Sequence, residues 1–271
     1  MTVIATMITR SGTAHATDSL LTTRGMDGER VPVETEEAKV VAVRQFRGAL
    51  AYWGYAGTGS GVRTVDWLRE RVVEAAGVGS PEDFAGWLAD LLEAWLRTQG
   101  VANDARYGVG VHFSAYERIG DYWVPELFLI SNFADPNYTS LRPGGVGYSR
   151  ETFSTITGVL RSPDDGQPDR RLHVHGFLQE GKWLRFNNGD PRLFNPTAEA
   201  LRVMLELAKQ RGVLAELDAT RLRRWTRLPV EIVSQMQREF YRAGVRVVGG
   251  RIHDLAVTPA GEYSSDSGDA D

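Results

Sequence analysis

The order in which strand-like and helix-like blocks follow one another constrains this chain most. Residues 2–9 (TVIATMIT) are β-branched and apolar, 10–12 (RSG) carry turn chemistry and 13–17 are short, which predicts an antiparallel hairpin. Residues 39–47 (KVVAVRQFR) and 48–56 (GALAYWGYA) predict a second strand pair. The period then changes. From 62 to 76, Val65, Trp67, Leu68, Val72 and Val73 recur at helical spacing; Ser80-Pro81-Glu82-Asp83 then opens a second helix over 81–98 with a cap, a first-position proline and early acids. A third strand pair follows at 107–116 and 122–133, and 134–170 reads as an irregular insertion with a short helix around 150–159. A hairpin around Glu180-Gly181 is expected over 171–187, helices over 196–211 and 229–243, and a last strand over 246–258. Sheets of hairpins with helices outside them predict an α+β fold, a four-layer αββα sandwich spanning 1–263 as a single domain. The acidic stretch 264–271 is expected to be a disordered tail.

Composition narrows the chemistry. With 271 residues, 42% of them apolar, the chain can bury a large core unaided. It has no cysteine, which excludes disulfides, thiolate zinc sites, iron–sulfur clusters and cysteine nucleophiles, and points to the cytoplasm. No apolar run approaches the roughly 18 residues that span a bilayer, so no membrane role is expected. A net charge of -4 argues against nucleic acid as a partner.

The opening resembles the β-type subunits of the proteasome family and their bacterial relatives, which are N-terminal nucleophile hydrolases. That family's pattern is a leading Thr, a strand to a Gly turn, a return through small residues to Asp-Ser, and a nearby Thr. Thr2, Gly12, Asp18, Ser19 and Thr22 stand in those places, with the interval from Thr to Asp matching without a gap. Lys39 fills the place of the Lys heading the next strand and Ala56-Gly57 that of the Ala-Gly before the first helix, each after a few inserted residues. The final stretch VVGGRIHDLAVTPAGEY is similar to the family's Gly-Gly strand. The resemblance implies an αββα fold of N-terminal nucleophile type, and it covers about 1–76 and 229–263. Val245 and Val248 fall where the family carries an Asp and a Ser that steady the N-terminal amine.

The chemistry of such a set is simple. A threonine hydroxyl is a weak nucleophile and needs a base beside it; an α-amino group, with a pKa near 8, suits that task. Only a first residue supplies both groups, so the expectation is that Met1 is trimmed and Thr2 is the nucleophile. Lys39 lowers the effective pKa of the nucleophile, Asp18 holds the ammonium, and the Gly57 N–H is the oxyanion donor. Ser19 and Thr22 are the substrate-binding candidates, with Thr22 and Gly57 flanking a peptide by main-chain hydrogen bonds. The expected activity is hydrolysis, or transpeptidation, of a peptide or other amide by acyl transfer, without cofactor or metal. A catalytically silent binding or scaffold protein of the same fold is the alternative.

Other motifs weigh less. GYAGTGSG lacks the Lys of a phosphate loop and the full spacing of a dinucleotide fingerprint. His173-Val-His175 places two imidazoles on one face of the expected strand, read as a structural or solvent-facing pair. The run RLRRWTR (221–227) reads as a solvated loop or as a contact with a neighbouring subunit's acids. Trp67, Trp87 and Trp95, with Phe84, offer more apolar area than an outer helical layer commonly needs, so a homo-oligomer is expected.

Overall fold

The computed structural model describes residues 3–24, 30–34, 37–57, 61–104, 107–134, 140–152, 168–188, 191–213, 217–240 and 248–266. The first hairpin forms where its alternation dictates: β1 (Ile4–Thr9) pairs antiparallel with β2 (Gly12–Asp18), with Thr9 opposite Gly12. A Cβ on Gly12 would stand 2.7 Å from the carbonyl oxygen of Val257, so the close approach of the neighbouring strand requires glycine there. β3 (Leu21–Arg24) and β4 (Arg30–Glu34) form a separate two-stranded ribbon. The other two expected pairs are present as β5 (Val40–Val43) with β6 (Gly48–Gly54), and β7 (Val109–Ile119) with β8 (Tyr122–Ser131).

Two antiparallel five-stranded sheets result. One runs β5-β6-β7-β8-β9, where β9 is Gly147–Arg150. The other runs β10-β1-β2-β11-β12, where β10 is Leu184–Asn188, β11 is Ile252–Val257 and β12 is Tyr263–Ser265. Helices α1 (Thr64–Glu74) and α2 (Pro81–Thr98) cover the first sheet, burying Trp67, Leu68, Phe84, Leu88 and Leu92 against Leu50, Tyr52, Val111 and Phe113. The Ser80 hydroxyl accepts from Asp83 N at 3.1 Å, the N-cap the sequence announces. Helices α4 (Pro191–Gln210) and α5 (Ala219–Phe240) cover the second sheet, with Leu205, Leu222, Val230 and Val233 on Met7, Ala5 and Ala16. Helix α3 (Pro168–Gln179) closes one end, where Val174 and Leu178 meet Ile8, Val124 and Leu127. Among the described residues no helix is long and apolar enough to cross a membrane.

Several expectations are corrected. The hairpin expected over 171–187 is α3 followed by β10, because Val174 and Leu178 lie one helical turn apart on a buried face and Gly181, at φ 73°, terminates the turn. His173 and His175 therefore sit two apart on a helix, on different faces, and His175 packs on Tyr122 with ring centroids 4.5 Å apart. The helix expected from 229 begins ten residues earlier, since the Asp218 carboxylate accepts from Arg221 N at 2.7 Å and caps it. Pro229, at the expected start of the helix, is inside it and buried. The basic run is thus helical, and its acids come from the same chain: Arg223 and Arg227 meet Asp254 at 3.1 and 3.3 Å, and Arg223 meets Asp266 at 2.9 Å. The insertion over 134–170 contributes β9; the short helix expected around 150–159 lies largely outside the described residues. Tyr263–Ser265, at the edge of the expected tail, pairs with β11 as a strand.

The tryptophans also differ from expectation. Trp67 and Trp95 are buried and stack on one another at 5.1 Å inside the α1–α2 layer, and Trp87, partly buried, packs on Phe84. Exposed apolar side chains are more numerous on the opposite layer, at Val203, Met204 and Leu207 of α4 and Ile232, Met236 and Phe240 of α5, although Val73 of α1 is exposed too.

Between the sheets, where Ile4 packs on Ala51 and Trp53 and Ile8 on Val124 and Leu127, a polar chain also runs. His112 Nε2 hydrogen-bonds Asn188 Oδ1, Thr6 Oγ1 lies 2.7 Å from His112 Nδ1 and 2.9 Å from His15 Nδ1, and His15 Nε2 lies 2.6 Å from Ser114 Oγ. An amide oxygen only accepts, so His112 donates from Nε2 and accepts at Nδ1. Thr6 then donates to His112 and accepts from His15, and Ser114 donates to His15. One direction of donation satisfies the whole chain with both imidazoles neutral. Burial, aided for His15 by His112, lowers His15 to about 3; burial lowers His112 to about 4 against the Asn188 hydrogen bond.

Candidate functional site

Three buried charged groups, Asp18, Glu37 and Lys39, gather where strands end. β1 and β2 run antiparallel with Ile4 opposite Thr17, so Val3, the first described residue, comes beside Asp18, the last residue of β2. Val3 N donates to Asp18 Oδ1 at 3.0 Å, and Gly249 N donates to Asp18 Oδ2 at 3.2 Å. Ser19 N donates to Arg251 O at 2.8 Å and Leu20 N to Gly249 O at 3.0 Å, which fixes the turn after β2 against the approach to β11. Asp18 and Ser19 are both fully buried.

Lys39 enters from the other sheet, immediately before β5. Its Nζ donates to Leu20 O at 2.9 Å and lies 3.8 Å from Asp18 Oδ1, and its own carbonyl accepts from Tyr52 N at 3.1 Å. Burial pushes the Asp18 carboxyl up, while Lys39 and the two backbone N–H groups oppose that shift. Burial pushes the Lys39 amine down, while Asp18 and Glu37 oppose it. Each charge is held in the interior by its partners.

Glu37 belongs to this group. Its neighbour Ala38 is partly exposed while Glu37 and Lys39 are buried, the alternation of an extended segment turning both side chains inward. Glu37 accepts from Tyr52 Oη at 3.2 Å and pairs with Arg63 Nη1 at 3.0 Å. Arg63 precedes α1 and closes the loop that carries Gly57. That loop is tied by Thr64 N to Ala56 O at 3.0 Å and by Thr64 Oγ1 to Tyr55 O at 2.7 Å. Gly57 has φ 68°, and a Cβ there would stand 2.3 Å from Val62 O, so the position admits glycine alone. Among the described residues the Gly57 N–H has no acceptor.

Of the residues singled out in the sequence, Asp18, Ser19 and Lys39 are brought together, and Gly57 lies in a loop joined to them through Arg63 and Glu37. Thr22 is on β3, its backbone opposite Pro32. Thr2, Met1 and Val245 lie outside the described residues. Val248 is buried in an apolar cluster with Val3, Ala16 and Val233. Sequence reasoning missed Glu37, Tyr52 and Arg63; three closely spaced acids in VETEEAK hide which one turns inward. An open groove of about 640 Å³ runs along β5, lined in part by Ala38, Val40, Arg44, Arg69 and His253; neither Asp18 nor Lys39 lines it.

Neither a protein-family model nor a curated protein matches the sequence. Solved structures do match. Anbu (ancestral beta-subunit) from Yersinia bercovieri superposes with a TM-score of 0.51 at 13% identity, over 98% of this chain and 87% of that one. The chain is similar in fold to Anbu. At that identity the likeness concerns the fold, two antiparallel sheets with helices, and it accords with the resemblance of the opening strands to β-type subunits.

Proposed function

We propose that this chain is an N-terminal threonine hydrolase of peptide or other amide bonds, with Thr2 as nucleophile once the Met1–Thr2 bond is cleaved. The observation that carries the reading is the buried Asp18 carboxylate, which faces Lys39 at 3.8 Å and accepts from the N–H of Val3, the residue directly after Thr2. A buried anion–cation pair is costly to hold without a function for its charge. In this reading Thr2 Oγ attacks the amide carbonyl carbon, and its proton passes to the Thr2 amine and then to the departing amine. The C–N bond breaks as an ester forms on Thr2. Water, giving a proton to the same amine, then cleaves the ester and restores the hydroxyl. Lys39 stabilises the developing negative charge on Oγ, and the Gly57 N–H, which has no acceptor among the described residues, receives the oxyanion. The test is exposure of the purified chain to a β-lactone, an acylating probe, followed by peptide mapping. The expected adduct is on Thr2 and is lost in Lys39→Ala; an unmodified Thr2 overturns the reading.

A second reading, a catalytically silent binding or scaffold protein of this fold, is favoured by one observation. Val248 is buried among apolar side chains beside Val3, where the resembling family carries a polar group for the amine. Self-association, for its part, finds its motive in the exposed residues of α4 and α5 rather than in the tryptophans. Light scattering on the pure protein is expected to give a mass above that of one chain.

A further inference from the structure

The interior around Lys39 contains a carboxylate that the proposed chemistry does not use. Glu37 is as buried as Lys39, two residues before it, and on the same inward side of the segment. Tyr52 serves both: its N–H donates to the Lys39 carbonyl at 3.1 Å and its hydroxyl to Glu37 Oε1 at 3.2 Å. The second Glu37 oxygen is taken by Arg63 at 3.0 Å, and Arg63 also meets Asp66 at 2.8 Å on the first turn of α1. A run of charges therefore alternates in sign from β2 to α1: Asp18, Lys39, Glu37, Arg63, Asp66. Three of the links are ion pairs, Asp18–Lys39, Glu37–Arg63 and Arg63–Asp66; Glu37 acts on Lys39 by charge attraction without direct contact.

We propose that Glu37 is a positioning residue for Lys39, a second carboxylate that together with Asp18 keeps the amine protonated and, through Arg63, ties it to the loop of Gly57. The inference rests on the hydrolase reading for its purpose and on the charge sequence for its content. An amine facing Asp18 alone carries a buried charge against one anion whose other contacts are backbone N–H groups. Glu37 supplies the second anion. Arg63, with its side chain half exposed, draws on the same carboxylate and so moderates what Lys39 receives. The run has opposite consequences at its two ends. Removing the Glu37 charge weakens the hold on the Lys39 proton; removing the Arg63 charge frees Glu37 and strengthens it.

The chain has three lysines, Lys39, Lys182 and Lys209, so selective 13C labelling at lysine Cε gives three resonances in an NMR titration, and Lys39→Arg assigns the relevant one. The expected result is a Lys39 midpoint about one pH unit lower in Glu37→Gln than in the wild type, and higher in Arg63→Gln. Lys182 and Lys209 remain unmoved. A purely structural Glu37 predicts no opposite movement, and a Lys39 midpoint unchanged in Arg63→Gln overturns the proposal even if Glu37→Gln does not fold. The titration reads Lys39 whether or not Thr2 is a nucleophile. A β-lactone that leaves Thr2 unmodified sinks the hydrolase reading, and the titration alone decides Glu37.

Discussion

The hydrogen-bonded chain between the two sheets and the charged groups at the strand ends beside it are both buried and both polar, yet they hold their polarity differently. Between the sheets, Thr6, His15, His112 and Ser114 form a chain in which every group is neutral and donation runs one way. At the strand ends, Asp18, Lys39 and Glu37 keep charges in the interior and balance them by proximity. A neutral chain can be satisfied by hydrogen bonds alone and adds uniqueness to the packing of one sheet on the other. A buried charged set often gains little stability over an apolar substitute of the same shape, whereas breaking it by removing one partner is costly.

Acid should break the neutral half first, and this is the largest effect expected. The unfolded histidines take up protons near pH 6.5, whereas the folded ones resist until about 4 for His112 and about 3 for His15. Their contribution to stability is full above 6.5 and is lost as pH falls through that window. The loss is about 1.4 kcal/mol per histidine per pH unit between 6.5 and 4. The carboxyls of Asp18, Glu37, Asp254 and Glu126, the last buried on β8 beside Arg150, are shifted up by burial and act in the opposite sense, so the histidine share is read by difference. Urea unfolding of His112→Gln across that range should show a slope flatter than the wild type by about 1.4 kcal/mol per pH unit. Parallel slopes would mean that His112 is not held neutral.

The charged half breaks by mutation. Lys39→Ala leaves Asp18 buried and facing only backbone N–H groups, and is expected to cost about 3–5 kcal/mol in urea unfolding at neutral pH. Asp18→Asn combined with Lys39→Met should recover much of that loss, because the pair is removed together. A double variant as unstable as Lys39→Ala would indicate that the pair is needed for stability itself.

A smaller change sharpens the contrast. Thr6→Val keeps the shape between the sheets but leaves His15 and His112 each with an unpaired ring nitrogen, at a cost of about 2–3 kcal/mol. It should leave β-lactone labelling of Thr2 at its wild-type rate. A variant that loses both stability and labelling would show the two regions to be coupled.

How much of this is legible in the sequence follows from the range of the forces involved. The first hairpin, the cap at Ser80 and the inward face of α2 are local, set by alternation, turn chemistry and a side chain three residues from its acceptor, and they stand where the residues place them. Asp18 and Lys39 are legible as a pair only through a resemblance, because the 3.8 Å between them is made by two sheets packing, not by 21 residues of chain. Helix α3 was hidden by its short apolar face, Val174 and Leu178, which reads equally as part of an alternating strand. Glu37 was hidden among Glu34, Glu36 and its own position, since inward orientation is fixed only when Tyr52 arrives from β6. The buried Trp67–Trp95 stack shows the same limit: composition counts the rings, and packing decides which side they face.

Under the proposed hydrolase reading, Asp18 and Lys39 attend a threonine whose own amine is free. The most direct test is the intact mass of the purified chain. The account predicts a mass short of the full sequence by one methionine, with Thr2 as the first residue. A mass that retains Met1 would contradict it, because the amine that must take the hydroxyl proton would then be locked in a peptide bond.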